Sequence, residues 1–415
     1  RFVFHTFAHK PLNDSLRPGM TMGSIGIHWD RGQTFWPMVG AYHKYISRCS
    51  HMMQQGQAVT DILYLTPEGA PMVFTPPPDA LEENGAIPDK KAYGFDGCSP
   101  KMLMERAVVE NGKITFPGAS SYEILVLPNF KTMTPDLLEK IVSLVENGAK
   151  VIGIPPLKSP GLTDYPDCDA QVRQLAEKLW GSMNVPVKLT GRNYDEGIIY
   201  WGGNLNSEEL YPSYRSTVEL LSKLSISTDF KSSNNSVRFG HRKTKDKDIY
   251  FVANRTDTFQ SVECTFRAEG KPELWLGTTG ESRAITNYSV EDGTTSIPLE
   301  FFPYESYFVT FTGKNKGKSS VNKGTGNFPT FRDFKTIEGS WDVSFDPEFG
   351  GPESIRFDRL QDWAEHEIRG IKYYSGVATY KKTIHIDELD EKKYYLDLGV
   401  VNDIARVKLN GLDMN

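Results

Sequence analysis

The stretch from 124 to 154 opens with Ile124-Leu125-Val126-Leu127-Pro128. It continues through Thr134-Pro135-Asp136-Leu137-Leu138-Glu139-Lys140-Ile141-Val142-Ser143-Leu144-Val145-Glu146-Asn147-Gly148 and closes on Lys150-Val151-Ile152-Gly153-Ile154. Its first run is apolar without alternation, as expected for a central parallel strand covered on both faces. Thr134 stands where a helix cap belongs, with Pro135 at the first helical position. Leu137, Leu138, Ile141, Val142, Leu144 and Val145 then form one apolar stripe, and Gly148 stops it. Lys150 to Ile154 returns as the next strand. A strand, a helix and a strand in this order predict an open, doubly wound α/β module.

The same reading extends in both directions. Val59 to Leu65 is a further strand, Val108 to Phe116 a hairpin turning on Asn111-Gly112, and Val172 to Trp180 a second helix ending at Gly181. Upstream, Phe2-Val3-Phe4 reads as a buried strand. A Gly/Pro-rich loop from Pro11 to Gly40 follows, then a helix from Ala41 to Gln55 ending at Gly56. Downstream of a helix at Pro212 to Leu224 the period changes to two. Ser236 to His241, Asp248 to Asn254, Ser261 to Arg267, Glu273 to Trp275 and Tyr307 to Phe311 are short alternating strands, which predict a β-sandwich. Gly313 to Ser320 has linker composition. From about Phe331 a second β module is expected, with strands at Gly339 to Phe345, Gly376 to Ile384, Lys393 to Asp397 and Ile404 to Leu409.

Composition narrows the function. At about 150 residues per domain, 415 residues predict two to three domains. Lys+Arg 47 against Asp+Glu 53 gives a net charge of −6, which argues against a nucleic-acid partner held on a basic face. No run approaches the ~20 apolar residues of a membrane span, and no signal segment opens the chain. Cys49, Cys98, Cys168 and Cys264 stand far apart and form no CxxC pair, which speaks against a zinc ribbon or a disulfide scaffold. Neither GxGxxG nor GxxxxGK[ST] follows a strand, so nucleotide binding has no support. Cys98, between Gly97 and Ser99, lacks an elbow motif and reads as a packed thiol. The 12% of aromatic residues, with 36 Gly and 25 Pro, suits a loop- and strand-rich protein that handles sugars.

Phe4-His5-Thr6-Phe7-Ala8-His9-Lys10-Pro11, Arg17-Pro18-Gly19, Gly26-Ile27-His28-Trp29-Asp30-Arg31-Gly32-Gln33-Thr34-Phe35-Trp36, Tyr45-Ile46-Ser47-Arg48, Gln54-Gln55-Gly56 and Val59-Thr60-Asp61 follow one another along the first 61 residues. With the order of parts, these motifs resemble glycoside hydrolase family 106, the α-L-rhamnosidases. Ser375 to Tyr380, Leu396 to Gly399 and Ala405 to Gly411 resemble the sugar-binding jelly roll shared with family 2. The resemblance implies a multidomain α/β plus all-β chain. Residues 1–56 would close a (β/α)8 catalytic barrel, and 57–188 would form an amidotransferase-like doubly wound module. A β-sandwich at 189–313, a linker at 314–330 and a truncated galactose-binding-like jelly roll at 331–415 would follow.

The resemblance also implies inversion at a terminal α-L-rhamnosyl linkage of plant polysaccharide or glycoside, with two glutamates and a calcium ion. It further implies a periplasmic or secreted location and no membrane partner. No Glu precedes Glu68. Together with the missing initiator Met and the strand that should follow Asn410-Gly411, this reads as a C-terminal fragment. The general acid and base are then expected upstream of Arg1, and the fragment by itself should be inactive. A β-galactosidase-like enzyme built on the same accessory modules and a non-catalytic carbohydrate-binding protein are the alternatives.

Sugar contacts are expected at the C-terminal end of the Phe2-Val3-Phe4 strand and the loop behind it, where barrel sites lie. His5, His9, Asp30 and Arg31 offer hydrogen bonds to hydroxyl groups, and Trp36 offers a face for the apolar side of a pyranose. The same residues also read as structural: hydrogen-bonded histidines, a local Asp30–Arg31 pair, and core packing for Trp29, Phe35 or Trp36. Calcium needs 6 to 8 converging oxygens. Asn13-Asp14-Ser15 lacks that spacing, and Asp167-Cys168-Asp169 reads as a helix cap.

Overall fold

The computed structural model describes Trp29, Arg31 and residues 33–69, 72–82, 89–313, 320–322, 326–386, 390 and 393–414. It divides into two compact units, one of Arg48–Pro329, the other of residues 1–47 with 330–415. It is mixed α/β with several sheets. The expected Phe2-Val3-Phe4 strand lies outside the described residues.

Helix α1, Val39–Met53, starts after a 3-10 turn at Trp36–Met38. The chain leaves it through Gly56 at φ +53, where a Cβ would stand 2.0 Å from the Lys243 carbonyl oxygen, so only glycine fits. Strand β1, Gln57–Ala58, follows at once.

Strands β2 (Ile62–Leu65), β3 (Phe95–Cys98), β4 (Ile124–Val126), β5 (Lys150–Ile152), β6 (Thr190–Tyr194) and β7 (Gly197–Trp201) form one sheet in the order β6-β7-β5-β4-β2-β3. All pairs are parallel except β6 with β7. Taken along the chain, the five parallel strands run 2-1-3-4-5, a doubly wound order. Every residue of β2 and β4 is buried because helices cover both faces. Leu63, Leu65, Leu125 and Val151 pack with Leu103 of α2 (Pro100–Arg106) and with α3 (Pro135–Glu146) and α4 (Asp167–Trp180). Ile62, Tyr64, Ile124 and Val126 face Tyr214, Leu220 and Leu221 of α5, Tyr214–Lys223.

The stripe read on α3 is buried throughout. Its cap works differently from the expectation. Thr134 makes no side-chain bond to its own helix; its amide and hydroxyl donate instead to the Glu68 carboxylate at 2.9 and 2.6 Å. At α4 the cap position belongs to Pro166, and Asp167 and Asp169 sit in the first turn, where the helix dipole favours them. The hairpin at Asn111-Gly112 forms as read, with φ of 54° and 72°. The sheet also runs past residue 188, because β6 and β7 complete its edge.

Two further sheets form the sandwich. Strands β8 (Phe230–Ser232), β9 (Val237–Lys243), β10 (Lys247–Asn254), β11 (Gln260–Phe266), β12 (Lys271–Leu276), β13 (Ser282–Ala284), β14 (Tyr288–Glu291), β15 (Thr294–Phe301), β16 (Ser306–Thr312) and β17 (Ser320–Asn322) supply them. One sheet runs β1-β9-β10-β16-β12-β13 and the other β8-β11-β15-β14-β17. Tyr250, Val252, Val309 and Phe311 meet Val262, Cys264, Phe266, Ile297 and Leu299 between them. Strand β1 therefore joins the sandwich, not the doubly wound sheet into which sequence reading placed residue 57.

In the smaller unit, β18 (Trp341–Ser344) pairs with β19 (Ile355–Phe357) and β20 (Thr379–Lys381) around Val343, Phe345, Phe357, Ile371 and Tyr374. Asn410-Gly411 turns β21 (Val407–Leu409) into β22 (Leu412–Met414). Lys393 to Asp397, expected as a strand, enters no ladder, since an extended segment without hydrogen-bonded neighbours does not hold strand geometry. No helix among the described residues is long and apolar enough to cross a membrane.

Candidate functional site

The loop read as sugar-binding leads into α1, so the first turns of that helix meet the end of the loop. The Trp29 indole Nε1 donates to Nε2 of His43 at 3.0 Å. The Trp29 ring lies 5.8 Å from Phe35, 5.3 Å edge-on to Tyr42 and 5.5 Å from His43. These ring contacts and the directed hydrogen bond hold the plane of the indole. Tyr42 is 42% exposed at the margin of this cluster. An oriented indole with a phenol beside it can take the apolar face of a sugar ring and bond one of its hydroxyls.

Of the residues singled out from sequence, Arg31 is exposed. Trp36 is half-buried in the 3-10 turn, its amide donating to the Gln33 carbonyl at 3.1 Å. His5, His9 and Asp30 lie outside the described residues. Tyr42 and His43 were missed as site residues. Both lie in the helix expected over Ala41 to Gln55, and nothing in the spacing announces that Trp29, 14 residues before His43, bonds it.

A doubly wound sheet offers a second place for a ligand, the crevice where the strand order reverses, here between β2 and β4. This chain fills it with its own backbone. The Asn129 amide donates to the Leu210 carbonyl at 2.7 Å, and its side chain donates to the carbonyls of Ser207 and Glu209. Tyr211 donates its hydroxyl to Leu65 at 2.9 Å. At the end of β3, burial pushes the Cys98 thiol up to about 12, the reverse of an activated nucleophile. Among the described residues, no group of three or more His, Cys, Asp or Glu side chains converges to hold a metal ion.

Known proteins carry related folds. A solved rhamnosidase from Novosphingobium sp. PP1Y superposes with a TM-score of 0.71 at 26% identity, over 91% of this chain and 34% of that protein. A protein of Formosa agariphila named "Putative beta-glucuronidase" is 34% identical over 329 residues, 77% of this chain and 25% of the relative. A β-galactosidase of Bacillus circulans sp. alkalophilus gives a TM-score of only 0.38 at 9% identity, over 65% of this chain and 44% of that protein. The chain thus spans about a third of the solved rhamnosidase and a quarter of the curated relative. Fold and likeness together place it in the class of glycoside hydrolases. Residues 1–290 match the profile of Glyco_hydro_106, alpha-L-rhamnosidase, and the chain belongs to that family.

Proposed function

We propose that this chain is part of an inverting glycosidase that removes terminal α-L-rhamnosyl units from plant polysaccharides or glycosides. The observation that carries the reading is the family match over residues 1–290, which includes the Trp29 site loop. In the proposal Trp29 supports the sugar ring, and Tyr42, Arg31, His5, His9 and Asp30 bond its hydroxyls. The acid and base are two carboxyl groups held ~6.5–9.5 Å apart so that a water fits on the far side of the sugar. The chain spans about a third of the solved rhamnosidase, and these groups are proposed to lie in the part of the intact enzyme outside it. The doubly wound and sandwich modules serve as scaffold, and a periplasmic or secreted location is part of the same proposal. No step runs through calcium.

The Formosa agariphila relative motivates a second reading, a glycosidase acting on a β-linked uronic acid. Its carboxylate would need a cation beside the aromatic wall, and Arg31 follows Trp29 by two residues. Aryl α-L-rhamnoside and aryl β-D-glucuronide, tested with the intact enzyme while NMR follows the released anomer, separate the two. Rhamnose released first as the inverted anomer supports the first reading. Glucuronide turnover alone replaces it, and no turnover with retained sugar binding leaves a carbohydrate-binding protein.

A further inference from the structure

Six ionisable side chains meet inside the larger unit, where the sandwich adjoins the doubly wound sheet. Asp229 precedes β8, His241 and Lys243 lie on β9, Asp248 lies on β10, Arg267 follows β11 and Asp61 precedes β2. The His241 ring is 2% exposed and Asp229 is fully buried. Nδ1 of His241 stands 2.8 Å from Asp229 Oδ1, and Nε2 stands 3.1 Å from Asp248 Oδ1. Tyr250, its cross-strand partner, stacks on the imidazole at 3.8 Å between centroids and donates to the same Asp229 oxygen at 2.9 Å. Arg267 closes the group, 3.4 Å from Asp229 and 2.9 Å from Asp61. Tyr93 and Glu123 border Asp61 from the doubly wound side.

A neutral imidazole has one N–H and one lone pair. Both nitrogens of His241 face carboxylate oxygens, so a neutral ring would turn its lone pair onto one of them at about 3 Å. A proton on a carboxyl group would relieve this, but neither Asp suits it. Lys243 bonds Asp248 at 2.9 Å and holds it ionised, while the Asp229 oxygen that faces Nδ1 already accepts from Tyr250 and lies 3.4 Å from the Arg267 guanidinium. Charge balance points the same way. The buried carboxylates of Asp61, Asp229 and Asp248 carry −3 against +1 from Arg267, with Lys243 meeting Asp248 from an exposed position, and an imidazolium reduces this buried excess. A buried unbalanced charge is costly.

We propose that His241 is a standing imidazolium at neutral pH, the central cation of a clasp between the β-sandwich and the doubly wound sheet, and that losing its proton loosens this clasp. The backbone is tied at the same place: Val59 donates to His241 at 3.1 Å, Asp229 to Ala92 at 3.2 Å and Arg267 to Asp229 at 2.9 Å. Burial by itself lowers the His241 pKa, but the hydrogen bonds to Asp229 and Asp248, with their charges, outweigh it and hold it above 6.5. A histidine raised in this way adds stability below 6.5 that is lost as pH rises through its folded value. Burial likewise raises Asp248, but its bonds to His241 and Lys243 pull it below 3.8, so its contribution is lost only in strong acid.

Long-range ¹⁵N–¹H NMR of the histidine rings in the full chain tests this. Both His241 nitrogens should carry hydrogen at pH 7, with a midpoint above 6.5. In Asp248→Asn the amide can donate to a bare Nε2, so the midpoint should fall by a unit or more. The melting temperature should drop between pH 7 and 10, and His241→Gln should flatten that drop. A neutral tautomer at pH 7, or an unmoved midpoint in Asp248→Asn, overturns the proposal. So does an alkaline drop that His241→Gln leaves unchanged. If His241→Gln does not fold, the wild-type and Asp248→Asn spectra still decide.

Discussion

Asp61 and Arg267, 206 residues apart, meet through two contacts of 2.9 and 3.1 Å that join the start of strand β2 to the sandwich. Burial pushes the Asp61 carboxyl up to about 6, against the pull of the Arg267 charge. Lost hydration, with the nearby charges of Asp229 and Glu123, thus outweighs the pull of Arg267 on this carboxyl. Removing one partner should still be worse than keeping both. Arg267→Met should destabilise the chain by about 3–5 kcal/mol at pH 8, while Asp61→Asn combined with Arg267→Met should recover much of that loss. Urea unfolding of the two singles and the double gives the comparison, and additive losses would refute it.

The same carboxyl sets a pH trend. A carboxyl that binds its proton more tightly folded than unfolded adds stability below 3.8 and loses it as pH rises through about 6. Stability should therefore fall between pH 4.5 and 7, and Asp61→Asn should remove that part of the slope. Melts across this window check it; an Asp61→Asn slope equal to wild type would contradict it.

Glu68 takes the place of a local helix cap by accepting two hydrogen bonds from Thr134. Thr134→Ala and Glu68→Gln should each cost about 1–2 kcal/mol, and the double should cost little more than either single. A double-mutant cycle with no coupling would show that the clamp holds nothing.

Gly56 combines a left-handed φ with a Cβ position inside contact distance of the Lys243 carbonyl. Gly56→Ala should destabilise by more than the ~1–2 kcal/mol of a left-handed alanine, because β1 must shift on β9 to make room. Thermal unfolding measures it, and a loss under ~0.5 kcal/mol would mean the turn adapts freely.

In the intact enzyme, Trp29→Ala should lower kcat/KM about 10- to 100-fold, and His43→Phe, which removes only the bond orienting the indole, by a smaller factor. His5→Ala and His9→Ala should lose about 10- to 150-fold with the pH optimum unchanged, as expected of sugar contacts. Steady-state kinetics separates the cases. Wild-type turnover in Trp29→Ala returns the indole to packing.

The doubly wound sheet was legible because its strands and helices bury whole faces, leaving continuous runs such as Ile124 to Leu127 and stripes such as Leu137 to Val145. Strand β15 escaped notice although its burial alternates along its length, because Pro298 interrupts it. Proline has no N–H to give a ladder and normally marks an edge, yet here it sits opposite Glu263 inside the sheet. The destination of Gln57-Ala58 was also hidden, since two residues carry no period and only Gly56 marks the turn. At the site, the loop was legible as a motif. The Trp29–His43 bond and the His241 cluster were not, because both depend on contacts that only the folded chain brings together.

The central claim is the identity of the sugar that is cleaved. Turnover of aryl α-L-rhamnoside by the intact enzyme, with proton NMR recording the first anomer released, tests it most directly. The account predicts rhamnose released with inversion, with Trp29→Ala reducing the rate and residues 1–415 alone inactive. Cleavage of β-D-glucuronide with no rhamnoside turnover, or rhamnose released with retention, would contradict it.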